Sequence, residues 1–298
     1  MPVVQATQLE TAKLDDNAYR VLVTGFGPFA HYEENPSWLA VRPLHNKVLT
    51  FEPPPDATIA IDAAAAAAAG IDVHMRDPRQ IHITVCKVPV VYEAVLSTVP
   101  SFHSRPPVLP EHDEPLSPSL PPDEDGYDLC FHVGVAGRGP LRVERIGHKK
   151  GYNMKDATGR LAPITVEIIP PTRGLGKGYE AFDDEIPTDI DALKLVHFLK
   201  DTGFQDIYTS MDAGHYLCDY IYYCSLAEAK RANRNEVGRT TRVLFMHCPP
   251  VNQPHSTREV TDAIMKAVIW ICTGLQTGEA LLPVPPVPNS IFAPTKSK

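Results

Sequence analysis

Cys218 lies where the sequence signals the start of a helix. It follows a β-prone segment at 207–210 and a turn signal at 212–214, and the helical pattern then runs to about Ala232. The free N–H groups and the positive dipole end of a helix start favour a thiolate, and they can receive the negative oxygen of a reaction intermediate. Free cysteine is also among the most buried residue types. This stretch alone therefore leaves two interpretations open, a nucleophile and a packing residue.

Two further segments carry side chains that could serve such a thiol. An apolar strand pattern ends in His247 and is stopped by two prolines at 249–250. A histidine at the carboxyl end of a strand in an open α/β sheet points at the crevice where ligands bind. Glu144 lies in a short β-like segment after a glycine-rich turn. Nucleophile, base and orienting acid together form a catalytic triad, which is defined by spatial geometry and not by chain order.

Six short motifs follow one another along the chain: TGFGPF at 24–29, VPVVY at 88–92, HVGVAG at 132–137, VERIGHKKGY at 143–152, DAGHYLCD at 212–219 and FMHCPP at 245–250. Together they resemble the pyroglutamyl peptidase I family, the pyrrolidone-carboxylate cysteine peptidases, and the eukaryotic members more than the bacterial ones. The resemblance runs from about Val21 to Ile271 and is interrupted by insertions. Six motifs in order make it more specific than a single short pattern would be.

The resemblance implies a role for five residues. Cys218 matches the family's nucleophile, His247 its general base and acid, and Glu144 the carboxylate that orients the imidazole. Phe26 and Phe29 match the aromatic residues that enclose the substrate's lactam ring, and flat, partly apolar rings bind well between such walls. The residue type is unchanged at the three positions of the triad.

The implied reaction is hydrolysis of the amide bond after an N-terminal pyroglutamyl residue, so the expected partners are N-terminally pyroglutamylated peptides. It proceeds through a thioester acyl-enzyme and needs no cofactor. The chain departs from the family at Val135, where bacterial members tend to carry Gln, and at Cys248, where an aliphatic residue is more usual. The hydrogen-bond partners of the lactam therefore stay open at this point.

Strand patterns alternate with helical patterns, which predicts an α/β fold with a mostly parallel sheet. The resemblance implies a single-domain twisted mixed sheet with helices on both faces, of the phosphorylase/hydrolase-like type. The domain is predicted at 20–275, between a flexible N-terminal tail at 1–19 and a proline-rich C-terminal tail at 276–298. Low-complexity or proline-rich insertions are expected near 51–70 and 100–126. The segments 141–146 and 164–168 are predicted strands that could pair as a hairpin.

Composition narrows the class of partner and the compartment. The 298-residue chain has a formal net charge of −8 and lacks a basic tract, so neither nucleic acid nor an anionic membrane is an expected partner. It has no run of eighteen apolar residues and no apolar leader-like segment near its start. Six Cys without CxxC pairs predict reduced thiols in a cytoplasmic protein. Their spacing with histidine does not fit a metal site, and the oligomeric state stays open.

Two other classes of protein compete with the peptidase. The first is a non-catalytic binding module on the same fold, with proline-rich insertions that contact partners. The complete set of Glu144, Cys218 and His247 argues against it, because a protein without catalysis has no need of all three. The second is a nucleoside phosphorylase on a similar fold. The glycine-rich turn at 134–137 lacks the following helix that a phosphate site requires.

Overall fold

An eight-stranded mixed sheet forms the centre of the computed structural model, which describes residues 4–8, 14–51, 79–111, 116–117, 120, 124–166, 169–234, 238–277 and 280–282. The strands are β1 (Val4–Gln8), β2 (Tyr19–Phe26), β3 (Lys47–Phe51), β4 (Arg79–Val88), β5 (Leu129–Val135), β6 (Leu141–Glu144), β7 (Ile146–His148), β8 (Ile164–Val166), β9 (Thr172–Arg173), β10 (Glu185–Pro187), β11 (Ile207–Ser210) and β12 (Arg242–Cys248). The helices are α1 (Pro36–Val41), α2 (Tyr92–Phe102), α3 (Ala192–Asp201), α4 (Leu217–Asn233) and α5 (Thr257–Thr277).

The order of strands in the main sheet is β1-β3-β4-β2-β5-β12-β6-β11. The central run β4-β2-β5-β12 is parallel, and β11 pairs in parallel with β6. The β1–β3, β3–β4 and β12–β6 pairs are antiparallel. Strands β2, β5 and β12 are buried almost throughout, as expected for parallel strands covered on both faces. The carboxyl ends of these three strands therefore meet at one edge of the sheet.

Helices cover both faces of the sheet, because successive side chains of a strand point to opposite sides. Val21 and Val23 of β2 join one apolar cluster with residues of α1, α3 and α5. Leu22 and Phe26 join a second cluster with residues of α2 and α4. The predicted α/β class, with a mixed sheet and helices on both faces, is confirmed.

Local capping signals in the sequence locate two helix starts. Asn35 caps α1, and its Oδ1 accepts from the backbone N of Ser37 at 3.1 Å. At the start of α5 the Ser256 N–H donates to Glu259 Oε2 at 2.7 Å, and the Glu259 N–H donates to Ser256 Oγ at 3.3 Å. This reciprocal pair is a capping box, whose signature is a serine followed three residues later by a glutamate.

The predicted pairing of 141–146 with 164–168 is wrong. Strand β6 is inserted between β12 and β11 in the main sheet, whereas β7 pairs with β10 and β8 pairs with β9. Strands β9 and β10 lie at 172–187, where the sequence predicted no strand. Alternation within a strand predicts its two faces but not its neighbour, and this is why the pairing was not predictable.

The predicted boundaries of the domain differ from the described structure in three places. Strand β1 lies within the expected N-terminal tail and pairs with β3. In the expected insertion at 100–126, His103 is buried with Nε2 2.8 Å from Ser225 Oγ of α4. Ser117 O lies 2.9 Å from Nε2 of His45. Leu281, in the expected C-terminal tail, forms a β-bridge with Ile190. Residues 52–78, which include all but the first residue of the low-complexity segment expected near 51–70, and residues 283–298 lie outside the described residues.

Candidate active site

Glu144 and His247 meet across the antiparallel pair β6–β12, in which Glu144 is the register partner of Phe245. Nδ1 of His247 lies 2.7 Å from Oε1 of Glu144, and both side chains are buried. A carboxylate can only accept, so Nδ1 carries the shared proton and Nε2 is left free to take one from a reacting group. The sequence named both residues, and the structure joins them.

The Glu144 carboxylate has few partners besides this imidazole. Its exposed fraction is 0%, and Oε2 has no hydrogen-bond partner within the described part of the chain. The backbone carbonyl of Glu144 accepts from the hydroxyl of Tyr222 at 2.9 Å, which ties β6 to α4. A buried negative charge beside Nδ1 stabilises the imidazolium that forms when Nε2 accepts a proton.

Cys218 is the second residue of α4. The helix begins at Leu217, three residues later than the predicted start, because Gly214 adopts a positive φ of 80° and the chain turns before it becomes helical. The first helical hydrogen bond runs from the Tyr220 N–H to Tyr216 O at 2.9 Å. The N–H groups that precede Tyr220 have no acceptor inside the helix. They are the backbone donors available to a negative oxygen near Cys218.

Gly134 of β5 brings the cysteine and the histidine to one place. Its backbone is the register partner of His247, and a Cβ atom on it would lie 2.7 Å from Sγ of Cys218. The sulfur thus rests against the backbone of the strand beside the one that carries His247. Only a residue without a side chain permits this approach. The structure therefore gathers Cys218, His247 and Glu144 at the predicted edge of the sheet.

The environment of the thiol differs from the expectation of a resting thiolate. Cys218 is half-buried at the wall of a cavity, and the partial removal of its sulfur from water raises the pKa of the thiol; the nearby Cys248, Asp219 and Glu144 raise this pKa further, and Arg142 lowers it. Removing a sulfur from water disfavours its charged form, which opposes the effect of the helix start. These surroundings favour the neutral form of the Cys218 thiol. Its proton must move to a base during the attack.

A cavity of about 190 Å³ opens beside the sulfur. Phe26 is buried and Phe29 half-buried on its wall, and the ring of Phe29 lies 5.4 Å from that of Tyr216. We call this space the inner cavity; its lining residues are Phe26, Phe29, Tyr32, Asn35, Val90, Val135, Ala136, Tyr216, Leu217 and Cys218. The predicted aromatic pair and the predicted nucleophile thus share one small, largely apolar space.

Sequence reasoning missed several residues of this wall. Val90 and Tyr216 belong to two of the recognised motifs, but nothing in their local pattern distinguished a lining residue from a core residue. Tyr32 lies outside every motif, and its place is fixed by a paired turn in which Phe29 and Tyr32 exchange backbone hydrogen bonds of 3.1 and 2.9 Å. Phe29 and Tyr32 both precede α1, and their closeness in sequence was a usable signal that Tyr32 lines the same cavity as Phe29.

Asp219, the residue after the cysteine, anchors the start of α4. Its exposed fraction is 0%, and its carboxylate accepts from the His148 N–H at 3.1 Å and from the Tyr152 hydroxyl at 3.0 Å. Nδ1 of His148 lies 3.2 Å from the same carboxylate, and this bond raises the pKa of His148. His215 is half exposed, and its Nδ1 lies 3.9 Å from the Asp219 carboxylate. The segment 148–152 thus holds the helix start in position.

No family model matches the chain. Among curated proteins, Pyroglutamyl-peptidase 1 of Mus musculus is 28% identical over 250 residues, which cover 84% of this chain and 87% of that protein. Pyroglutamyl-peptidase 1 of Homo sapiens gives the same identity and coverage. The chain is a relative of these peptidases. The predicted resemblance, including its eukaryotic type, and the assignment to the hydrolases are confirmed by these proteins.

Solved structures confirm the fold. Pyroglutamyl peptidase I from Bacillus amyloliquefaciens superposes with a TM-score of 0.56 at 20% identity, covering 85% of this chain and 94% of that chain. Pyrrolidone carboxyl peptidase from Thermococcus litoralis gives a TM-score of 0.59 at 16% identity, covering 90% and 99%. At sequence identities this low, the superpositions establish a shared architecture alone.

The described residues also bear on membrane spans and metal sites. None of the helices in the described ranges has the length and apolar character needed to cross a bilayer. The same residues hold no group of three or more His, Cys, Asp or Glu side chains arranged to bind a metal ion. The cytoplasmic location and the absence of nucleic-acid partners stay predictions from composition.

Proposed function

We propose that the chain is a cysteine exopeptidase that hydrolyses the amide bond after an N-terminal pyroglutamyl residue. The observation that carries the proposal is the position of Cys218 Sγ, which borders an aromatic-walled cavity of about 190 Å³ and lies against the strand next to His247. A five-membered lactam fits such a space, and the bond that follows the ring then comes to the sulfur. The size of the cavity restricts the acyl group to a single small ring.

The first step joins the thiol to the substrate carbonyl. Nε2 of His247 takes the proton of Sγ as sulfur forms a bond to the carbonyl carbon, and the carbonyl π electrons move to oxygen. Because its surroundings raise the pKa of the Cys218 thiol, we infer that proton transfer to His247 accompanies the attack. Glu144 stabilises the imidazolium through the 2.7 Å bond to Nδ1. The free N–H groups at the start of α4 face the negative oxygen.

Collapse of this intermediate breaks the bond from carbon to nitrogen. The imidazolium gives its Nε2 proton to the departing amine, and the shortened peptide leaves with a new N-terminus. A water molecule then gives a proton to Nε2 and attacks the thioester carbonyl. Breaking the bond from carbon to sulfur returns the proton to Cys218 and frees pyroglutamate.

The walls of the inner cavity favour a neutral ring over a charged one. Phe26, Phe29 and Val90 are apolar, and none of the residues that line the inner cavity is acidic. An N-terminal proline has the same ring size, but its nitrogen is mostly protonated at neutral pH and it lacks the lactam carbonyl. Leaving the site's partner for that carbonyl unpaired costs about 1–3 kcal/mol, and burying an unpaired cation costs several more. At about 1.4 kcal/mol per decade, selectivity should reach roughly three decades in kcat/KM.

The test compares pyroglutamyl and prolyl conjugates of one coumarin fluorophore with the purified protein. We expect release from the pyroglutamyl conjugate and at least about a thousandfold lower kcat/KM for the prolyl one. No release from either conjugate would refute the peptidase and favour the non-catalytic binding module. A prolyl conjugate within tenfold of the pyroglutamyl one would refute the role of the inner cavity while leaving a peptidase.

A further inference from the structure

A second, larger cavity adjoins the inner cavity, and the catalytic steps above make no use of it. It has a volume of about 560 Å³ and shares Tyr32 and Ala136 with the inner cavity. We call it the outer cavity, lined by these two residues together with His31, Glu34, Arg138 and Gln253. A peptide bound with its first ring in the inner cavity must continue away from Cys218, and the outer cavity is the adjoining space.

The outer cavity lies above the carboxyl ends of three neighbouring parallel strands. Its walls are the loops that follow β2, β5 and β12, and ligands of open α/β sheets bind in this crevice. The walls are fixed by backbone hydrogen bonds. The Ala136 N–H donates to Cys248 O at 2.9 Å, and the Gly139 N–H donates to Gln253 O at 3.1 Å. The space is therefore formed before a peptide arrives.

The lining of the outer cavity holds one acidic side chain, Glu34, and one arginine, Arg138, and the two differ in their partners. Glu34 is the acidic side chain of its lining, and Oε1 of Glu34 is already bound to Nη1 of Arg42 at 3.3 Å. Arg138 donates through Nε to Oε1 of Gln253 at 2.6 Å. The two terminal nitrogens of the Arg138 guanidinium have no hydrogen-bond or ion-pair partner within the described ranges. Gln253 thus holds the side chain in place and leaves its forked end free to bind two oxygens.

We infer that the outer cavity binds the residues following the scissile bond and selects a carboxylate there through Arg138. This inference rests on the proposed peptidase function. The ligand class is an acidic side chain at the first position after pyroglutamate. The guanidinium is a matching partner for such a group, whereas a lysine there would meet a charge of the same sign. The formal net charge of the chain is −8, which disfavours an acidic peptide. A preference for an acidic residue must therefore come from Arg138 at this cavity and not from the overall charge.

The experiment compares two peptides that differ by one group, pyroglutamyl-Glu-Ala-amide and pyroglutamyl-Gln-Ala-amide. The C-terminal amide removes the other carboxylate. Appearance of the new amine is followed with an amine-reactive fluorophore, and the ratio of kcat/KM for the two peptides is measured within each enzyme. Such a ratio is independent of the fraction of enzyme that is folded. A screened pair at an open cavity should favour the Glu peptide by about two- to fivefold, mainly through KM.

The decisive variant is Arg138→Gln, which should bring the ratio to about one. Arg258→Gln removes the same charge from the exposed start of α5, outside the outer cavity, and should keep the wild-type ratio. High salt should also reduce the wild-type preference. A wild-type enzyme that releases coumarin from its pyroglutamyl conjugate but cleaves both peptides equally would overturn the inference and leave the proposed function intact. Equal loss of preference in both variants would overturn it too, because the effect would then come from net charge.

Discussion

Gly134 lies against the sulfur of Cys218, and we predict that one added methyl group there disables the site. A Cβ atom at this position would lie 2.7 Å from Cys218 Sγ, 2.8 Å from Cζ of Phe245 and 3.4 Å from Cε2 of Phe26. Favourable contacts begin at about 3.5 Å, so the first two atoms stand roughly 0.7 Å too close. Phe245 is fully buried and packs against Tyr222, with ring centroids 5.7 Å apart. The displacement therefore falls largely on the sulfur.

The two consequences of Gly134→Ala differ in size. Overpacking of a buried site costs about 1–3 kcal/mol of unfolding free energy. A displacement of about 1 Å at a reacting atom can cost about a hundredfold in rate. We therefore expect a variant that is folded at room temperature but has lost about two decades of kcat/KM. A loss of fold alone would instead lower activity in proportion to the unfolded fraction.

The assay pairs hydrolysis of the pyroglutamyl coumarin conjugate with urea unfolding of the same samples. Gly137→Ala is the matched control, because a Cβ atom there would meet none of the described atoms within 4 Å. Gly137 borders the outer cavity, so this variant controls for stability and not for rate: its unfolding free energy should stay within about 0.5 kcal/mol of wild type, as for other surface substitutions. If Gly134→Ala keeps more than a tenth of wild-type activity, the close approach of Cys218 to Gly134 is not part of the site.

Two further substitutions and one segment replacement test other parts of the protein. Glu144→Gln should lower kcat by about two to four decades, less than loss of the nucleophile, because it orients and does not react; a loss equal to that of Cys218→Ala would indicate a different role. The pKa of His148 is raised by its bond to Asp219, so wild type should exceed His148→Gln in unfolding free energy most clearly below about pH 6.5 and lose that advantage as the pH rises through the raised pKa. Urea unfolding at about pH 6 and about pH 9 measures the difference in unfolding free energy between wild type and His148→Gln, and an equal difference at the two pH values would refute this prediction. Replacing 103–123 by a Gly/Ser linker should lower the unfolding free energy by about 2–4 kcal/mol, because buried hydrogen bonds are lost; a fall below 1 kcal/mol in urea unfolding would mean that the segment contributes only loop entropy.

The prediction for 103–123 reverses what the sequence alone suggests. Proline density and acidic residues indicate a solvated insertion whose removal changes little. The described structure instead buries His103 against Ser225 and places Ser117 next to His45. Composition averages over a segment, whereas packing is decided by single side chains. A buried histidine at the start of a polar segment leaves no compositional trace.

Features with a local cause were predictable from the sequence. The capping box of α5 depends on two residues three positions apart, and the end of β12 depends on two prolines. The pairing of Glu144 with His247 was predictable only through the ordered motifs, because the two residues stand far apart in sequence. Strand neighbours, the wall contributed by Tyr216 and the anchor at Asp219 depend on register between distant segments, which periodicity does not encode.

The electrostatics of the thiol were the least predictable part of the site. A helix start favours a thiolate when the sulfur is solvated. In the folded chain the sulfur is desolvated and lies near Asp219 and Glu144, so the pKa of Cys218 rises instead of falling. Both acids are recognisable in the sequence, but their closeness to one sulfur is a property of the fold.

The central claim is that Cys218 is the nucleophile of a pyroglutamyl peptidase. The measurement that tests it most directly is kcat/KM for the pyroglutamyl coumarin conjugate with wild type and Cys218→Ala, in samples whose fold is checked by circular dichroism. Loss of the sulfur removes the covalent step, so we predict that kcat/KM falls by several decades while the fold is retained. A Cys218→Ala enzyme that keeps a tenth of the wild-type value would contradict it.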